Sequence, residues 1–229
     1  MPLSRRKVLQ LLLAAGAALA GVVLAGYYWL DRKLNPRTPL NFRLPAPAAA
    51  SGPLALTPSC PDGHAEPSAA STEGPFYKPD SPERTLLRDA NTVGRPLAIA
   101  GQVMDQGCHV IEGAVLDFWC CDGTGHYDNA GYRLRGHQFT DAAGAYQVGL
   151  VKPKDYGLLW FHRTPHVHVK IQGRETALLT TQLFFPGEPL NARDRYMDDR
   201  LLMTLTEAAD GSLLGRFDFV LALPVRDGA

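Results

Sequence analysis

From residue 96 to residue 225 the chain runs in short apolar stretches broken by turn residues, and no long amphipathic helical stripe interrupts them. Residues 97–105 (LAIAGQVMD) predict a strand that ends at a Gln106-Gly107 turn, and residues 113–121 (GAVLDFWCC) a second, closed by Asp122-Gly123. HQFTDAAGAYQVGL predicts two strands around a turn at residues 141–144, and HVHVKIQG, LLTTQLFF and GRFDFVLAL three more. Residues 187–205 (GEPLNARDRYMDDRLLMTL) carry one short predicted helix. Many short strands at this spacing predict an all-β fold, a β-sandwich.

Upstream the pattern changes. An uncharged apolar run over residues 8–30 follows Arg5 and Arg6, and residues 1–33 are read as a targeting segment that resembles a twin-arginine export signal. Small residues at Ala18, Ala20 and Ala25 offer cleavage sites, whereas the length of the run and the closing Tyr27, Tyr28 and Trp29 suit a retained membrane anchor. Both alternatives put the body of the protein outside the cytoplasm, periplasmic or secreted. Residues 34–70 are rich in Pro, Ala and Ser and form a linker; residues 71–229 form the folded domain.

With 229 residues the chain holds one well-cored domain plus appendages. Lys and Arg total 23, as do Asp and Glu, so no net field favours nucleic acid. Four cysteines in an exported chain permit disulfides. Adjacent Cys120 and Cys121 point to opposite faces of a strand, so a bridge from Cys108 to one of them is expected, with free buried thiols as the alternative. The sequence leaves the oligomeric state open.

The chemistry concentrates in residues 162–171, HRTPHVHVKI. On a strand His166 and His168 project from one face and Val167, Val169 and Ile171 from the other, so two imidazoles can serve one metal. His162 is a third histidine, and a three-histidine metal hydrolase is one reading. No histidine follows His168, which disfavours a cupin. Upstream, WCCDGTGHYDNAG carries Tyr127 in a Gly-rich turn and KPKDYG carries Tyr156, with Tyr132 as a rival to Tyr127.

Taken with TEGPFY, TDAAGAY and LTTQLFFPGEP, these motifs resemble the intradiol ring-cleavage dioxygenases over about residues 60–190. That resemblance implies a non-haem Fe(III) enzyme opening a catechol between its hydroxyls with O₂, giving a cis,cis-muconate-type diacid. It implies Tyr127, Tyr156, His166 and His168 as iron ligands, with Tyr156 and His166 axial. Tyr156 would also accept a substrate proton, and Arg163 and Gln182 would sit beside the ring. Tyr77 would line the pocket or simply pack.

The ligand types agree with a ferric ion. Ionising a free tyrosine at pH 7 costs about 4 kcal/mol, which a metal can supply, and two phenolates favour the trivalent state. Zinc prefers His, Cys and carboxylate. A small aromatic diol and O₂ are the implied partners. Leu158, Leu159, Trp160 and Phe161 suggest an apolar lip between ligands. The competing non-enzymatic reading is a transthyretin-like exported binding module, whose domains lack the Tyr, Tyr, His-x-His set.

Overall fold

The structure, a computed structural model, describes residues 64–158 and 161–223. The targeting segment, most of the linker, Cys60 and the Leu159-Trp160 centre of the proposed lip lie outside the described residues. The chain divides into two units, Met1–Pro39 with Asn129–Gly131, and Leu40–Asp128 with Tyr132–Ala229. Every element below belongs to the second.

Two sheets carry the fold. In the first, β1 (Pro96–Asp105) is central: β4 (Ala145–Val151) pairs with it antiparallel on one side. On the other side β10 (Leu213–Arg216) and then β11 (Phe219–Leu221) pair with it in parallel, and β9 (Thr204–Glu207) extends β10. The neighbour changes at Gly101, where a Cβ would stand 1.7 Å from the Phe217 carbonyl oxygen, so only glycine lets the two backbones approach. GRFDFVLAL is therefore two strands split by this bulge, not the single strand its apolar run predicts.

The second sheet has the order β3-β2-β7-β8: Arg135–Phe139, Val115–Trp119, His166–Gln172 and Leu179–Phe184, all antiparallel. Its inner face presents Leu116, Phe118, Val167, Val169, Ile171 and Leu183, which meet Leu97, Ile99, Val103, Val148 and Leu150 of the first sheet in one buried core. Removing such a side chain from a packed core costs about 2–5 kcal/mol. The β-sandwich read from the sequence is what forms. The turn at residues 141–144 forms too: the Asp141 carboxylate accepts from the Ala143 and Ala145 amides at 2.9 Å each.

Two features escape the hydrophobic pattern. A short hairpin, β5 (Tyr156–Leu158) and β6 (Phe161–Arg163), pairs Tyr156 with Arg163. The expected helix near residues 187–205 is instead two 3-10 turns, Asn191–Arg193 and Asp199–Leu201, followed by β9.

The cysteine expectation needs correction. Cys120 and Cys121 are free and buried, while Cys108 is disulfide-bonded, so no bridge joins Cys108 to either. Cys120 packs in the sandwich core, and Cys121 packs with Trp119 and Tyr127. The Cys121 thiol also donates to the Lys154 carbonyl at 3.4 Å. No helix among the described residues is long and apolar enough to cross a membrane.

Candidate metal centre

The outer face of the second sheet positions the site. Because register is fixed by pairing, Arg135, Trp119, His168 and Gln182 fall in one row across β3, β2, β7 and β8. Next along β7, His166 stands opposite Phe184. The segment 72–81 covers this face. The Thr72 carbonyl accepts from Gln182 Nε2 at 2.8 Å, Glu73 pairs with Lys170 at 2.5 Å, and Ser81 Oγ donates to Asp117 at 2.7 Å. Phe76 stacks on Tyr127 with ring centroids 4.3 Å apart. Gly74 lies over His168 at φ +71°, where a Cβ would come within 3.3 Å of the imidazole Cε1.

Four side-chain donors converge there. Tyr127 Oη and Tyr156 Oη are 3.5 Å apart, Tyr156 Oη and His166 Nε2 3.4 Å, and His166 Nε2 and His168 Nε2 3.0 Å. A metal about 2.0–2.1 Å from each of two ligands that subtend 90–120° would hold them roughly 3–3.6 Å apart, so the spacing fits one ion. Orientation fits as well. His166 Nδ1 faces the Thr164 carbonyl at 2.7 Å, which keeps the proton on Nδ1 and the Nε2 lone pair on the site. His168 stacks on Trp119, centroids 4.8 Å apart and planes within 5°, so its ring cannot turn.

The electrostatics point the same way. Burial pushes Tyr127 well above the ordinary phenol range, and the adjacent Tyr156 adds to the shift. Tyr156 is raised by burial too, partly offset by its hydrogen bond with Tyr127 and by the Arg163 charge. Burial drives His166 down to about 3 and His168 well below 6.5. The site therefore holds two neutral imidazoles, ready to ligate, and two phenols that need a strong cation to ionise.

The family model described as Dioxygenase matches residues 72–223, most of the chain and all of this face. The chain belongs to the intradiol ring-cleaving dioxygenase family. It is 26% identical over 164 residues to the protocatechuate 3,4-dioxygenase beta chain of Burkholderia cepacia, covering 60% of this chain and 69% of that one. It is 30% identical over 145 residues to a Pseudomonas catechol 1,2-dioxygenase, covering 53% of this chain and 48% of that enzyme. The chain thus spans about half the length of that catechol enzyme. Among solved structures, the dioxygenase domain of a dioxygenase–carbohydrate-binding protein fusion from the cellulolytic bacterium Streptomyces sp. SirexAA-E is 44% identical with a TM-score of 0.64. The likeness covers 69% of this chain and all of that domain.

Within this intradiol scaffold, Arg163 and Gln182 lie beside the tyrosines and histidines. Arg163, 4% exposed, donates from Nε to Asp194 at 2.8 Å and from Nη2 to Gln182 Oε1 at 2.5 Å. Tyr196 covers the guanidinium, 4.7 Å from its carbon to the ring centroid. Tyr77 packs edge-on against Trp119 and donates to Asp117 at 3.2 Å. Next to that carboxylate and with its ring half-buried, its own phenol is pushed up to about 12, first by burial.

The competing ligands fall away. His162 pairs with Asp155 at 2.7 Å and is substantially exposed, and among the described residues no group of three or more His, Cys, Asp or Glu side chains assembles as a metal site. The three-histidine arrangement is therefore not built. Tyr132 donates to the Pro79 carbonyl at 3.1 Å instead of joining the centre. Sequence reading missed Asp194, Thr164 and the stacking of Trp119 on His168. Asp194 sits among Arg193 and Arg195, where a carboxylate reads as one more solvated charge.

Proposed function

We propose that this protein is a non-haem Fe(III) intradiol dioxygenase that opens a catecholic ring between its two hydroxyls with O₂, yielding a cis,cis-muconate-type diacid. The observation that carries this reading is the convergence of Tyr127, Tyr156, His166 and His168 donors at 3.0–3.5 Å steps. Ferric iron held there would supply the Lewis acidity that ionises the phenols and activates a chelated catechol toward O₂.

The surrounding residues have separate tasks. Tyr156 is partly exposed, unlike Tyr127, and sits across the hairpin from Arg163. As a phenolate its Oη is the group placed to take a proton from an incoming catechol hydroxyl. Arg163 holds a fixed positive charge whose Nη1 makes no hydrogen bond among the described residues, so that edge can face the negative charge that builds on the ring. Gln182 steers the guanidinium through Oε1 and ties it to the covering segment through Nε2. Trp119 and Phe76 exclude water from the ligand side.

The export signal read from residues 1–33, with an anchored or cleaved end, supports action on a catechol outside the cytoplasm. The fusion of the Streptomyces relative's dioxygenase domain to a carbohydrate-binding protein in a cellulolytic bacterium is in keeping with an external aromatic substrate.

The purified protein should show a broad visible tyrosinate-to-iron band that moves to longer wavelength when catechol is added without O₂. A colourless protein that takes up no iron after ferric reconstitution would remove the mechanism. Tyr127→Phe and His168→Ala each delete one donor. Loss of a residue behind a metal ligand costs 10–100-fold in affinity or activity, so losing a ligand itself should cost at least about 100-fold in turnover. Full iron and full turnover in either variant would reject the ligand assignment.

A further inference from the structure

We infer that Asp194 is the positioning residue of this centre: one buried carboxylate aims the Arg163 guanidinium and, through the Thr164 peptide, holds His166 in its ligating tautomer. This rests on the roles proposed for Arg163 and His166. Asp194 Oδ2 accepts from Arg163 Nε at 2.8 Å and from the Thr164 amide at 2.9 Å. Its Oδ1 accepts from the Tyr196 amide at 3.0 Å. The side chain is fully buried, so water contributes nothing to its solvation and these three donors are what stabilise its charge.

The link to His166 runs through one residue. Asp194 fixes the amide of Thr164, the Thr164 hydroxyl donates to Asn191 Oδ1 at 2.7 Å, and the Thr164 carbonyl faces His166 Nδ1 at 2.7 Å. Asn191 in turn donates to the Phe185 carbonyl at 2.8 Å, which ties the loop to the end of β8. The turn at residues 190–196 therefore grips the β6–β7 junction at the point where Arg163 leaves one strand and His166 begins the next. Tyr196, held by the same carboxylate, closes over the guanidinium face.

Stability alone is a weak reason for this arrangement. A buried ion pair loses two hydration shells, and well-packed apolar residues of similar volume commonly hold a fold as well or better. What an apolar pair cannot do is fix the direction of a guanidinium edge and of a peptide carbonyl at once. Both directions are set here toward the converging donors.

The test uses the full chain with Asp194→Asn, which keeps the shape and removes the charge, and Asp194→Glu, which keeps the charge and moves it. In metal-free protein with ¹⁵N-labelled histidine, His166 should be the Nδ1–H tautomer in the wild type and a mixture in Asp194→Asn. In loaded enzyme Asp194→Asn should lower kcat about tenfold or more with KM changed less than about threefold, as expected for a transition-state contact that is mis-aimed. Asp194→Glu should recover part of both effects. In an Arg163→Ala background the same Asn substitution should cost clearly less in kcat than in the wild type, because the part of its effect that runs through Arg163 is already lost. An unchanged His166 tautomer, or equal losses with and without Arg163, would reduce Asp194 to a structural ion pair and overturn the inference. If Asp194→Asn does not fold, the Glu variant decides on the same two readouts. If the wild type binds no iron and turns over no catechol, the functional reading fails, while the tautomer still reports on Asp194.

Discussion

His166 and His168 meet the solvent question at its most local. A free imidazole takes up a proton near pH 6.5, but burial holds His166 neutral down to about 3 and His168 to a value well below 6.5. In metal-free protein the unfolded chain therefore binds more protons than the folded chain between pH 3 and 6.5. The stability these residues contribute is complete above 6.5 and is lost as pH falls toward 3. The urea midpoint of the metal-free protein should fall steadily from pH 7 to pH 4, as the unfolding free energy drops by something on the order of several kcal/mol. His168→Gln should flatten that slope. A midpoint independent of pH over this range would contradict the burial of the pair. The phenols work at the other end: Tyr127 and Tyr156 are raised, so metal-free protein should also lose stability as pH climbs past 10. At this scale the sequence points to candidate ligands and is silent about what supports them. Two histidines spaced by one residue, and tyrosines beside glycine turns, carry a recognisable chemistry in their types. Asp194 and Thr164 carry none in theirs, because their role comes from a contact about 30 residues away in the chain.

Strand β7 was legible because its two faces are of different kinds, Val167, Val169 and Ile171 inward and His166 and His168 outward, and pairing then fixes every neighbour. The hairpin β5–β6 was not, since three-residue strands leave no periodicity to read. The segment 72–81 was visible only as a motif, TEGPFY, and its work is that of a strap over the ligand face. Gly74 is the point where it comes closest. A side chain there would meet a left-handed backbone, at a cost of about 1–2 kcal/mol, and would press on an imidazole that Trp119 already holds flat. Gly74→Ala should therefore lower the melting temperature by several degrees and weaken iron retention. A Pro75→Ala control beside it, at an exposed residue, should leave iron retention as in the wild type. Equal iron retention in Gly74→Ala would show that the strap yields without disturbing His168.

Across the whole molecule the cysteines record two environments in one chain. Cys108 is oxidised into a disulfide, whereas Cys120 and Cys121 stay as thiols inside the packing. Burial raises Cys121 to about 12 and Cys120 well above its ordinary range, so neither presents a thiolate to an oxidant. Two unpaired thiols thus persist beside a disulfide in one chain, and the bridge expected from Cys108 to one of them does not form. A thiol reagent should label native protein negligibly over minutes. Unfolding without reductant should release two reactive thiols, and reduction should bring the count to the four cysteines of the sequence. Rapid labelling of native protein would mean that the Trp119–Cys121–Tyr127 cluster opens to water, and the same opening would expose Tyr127. Thiol protection and the visible iron band should therefore be lost together on heating, since one cluster of side chains shields both.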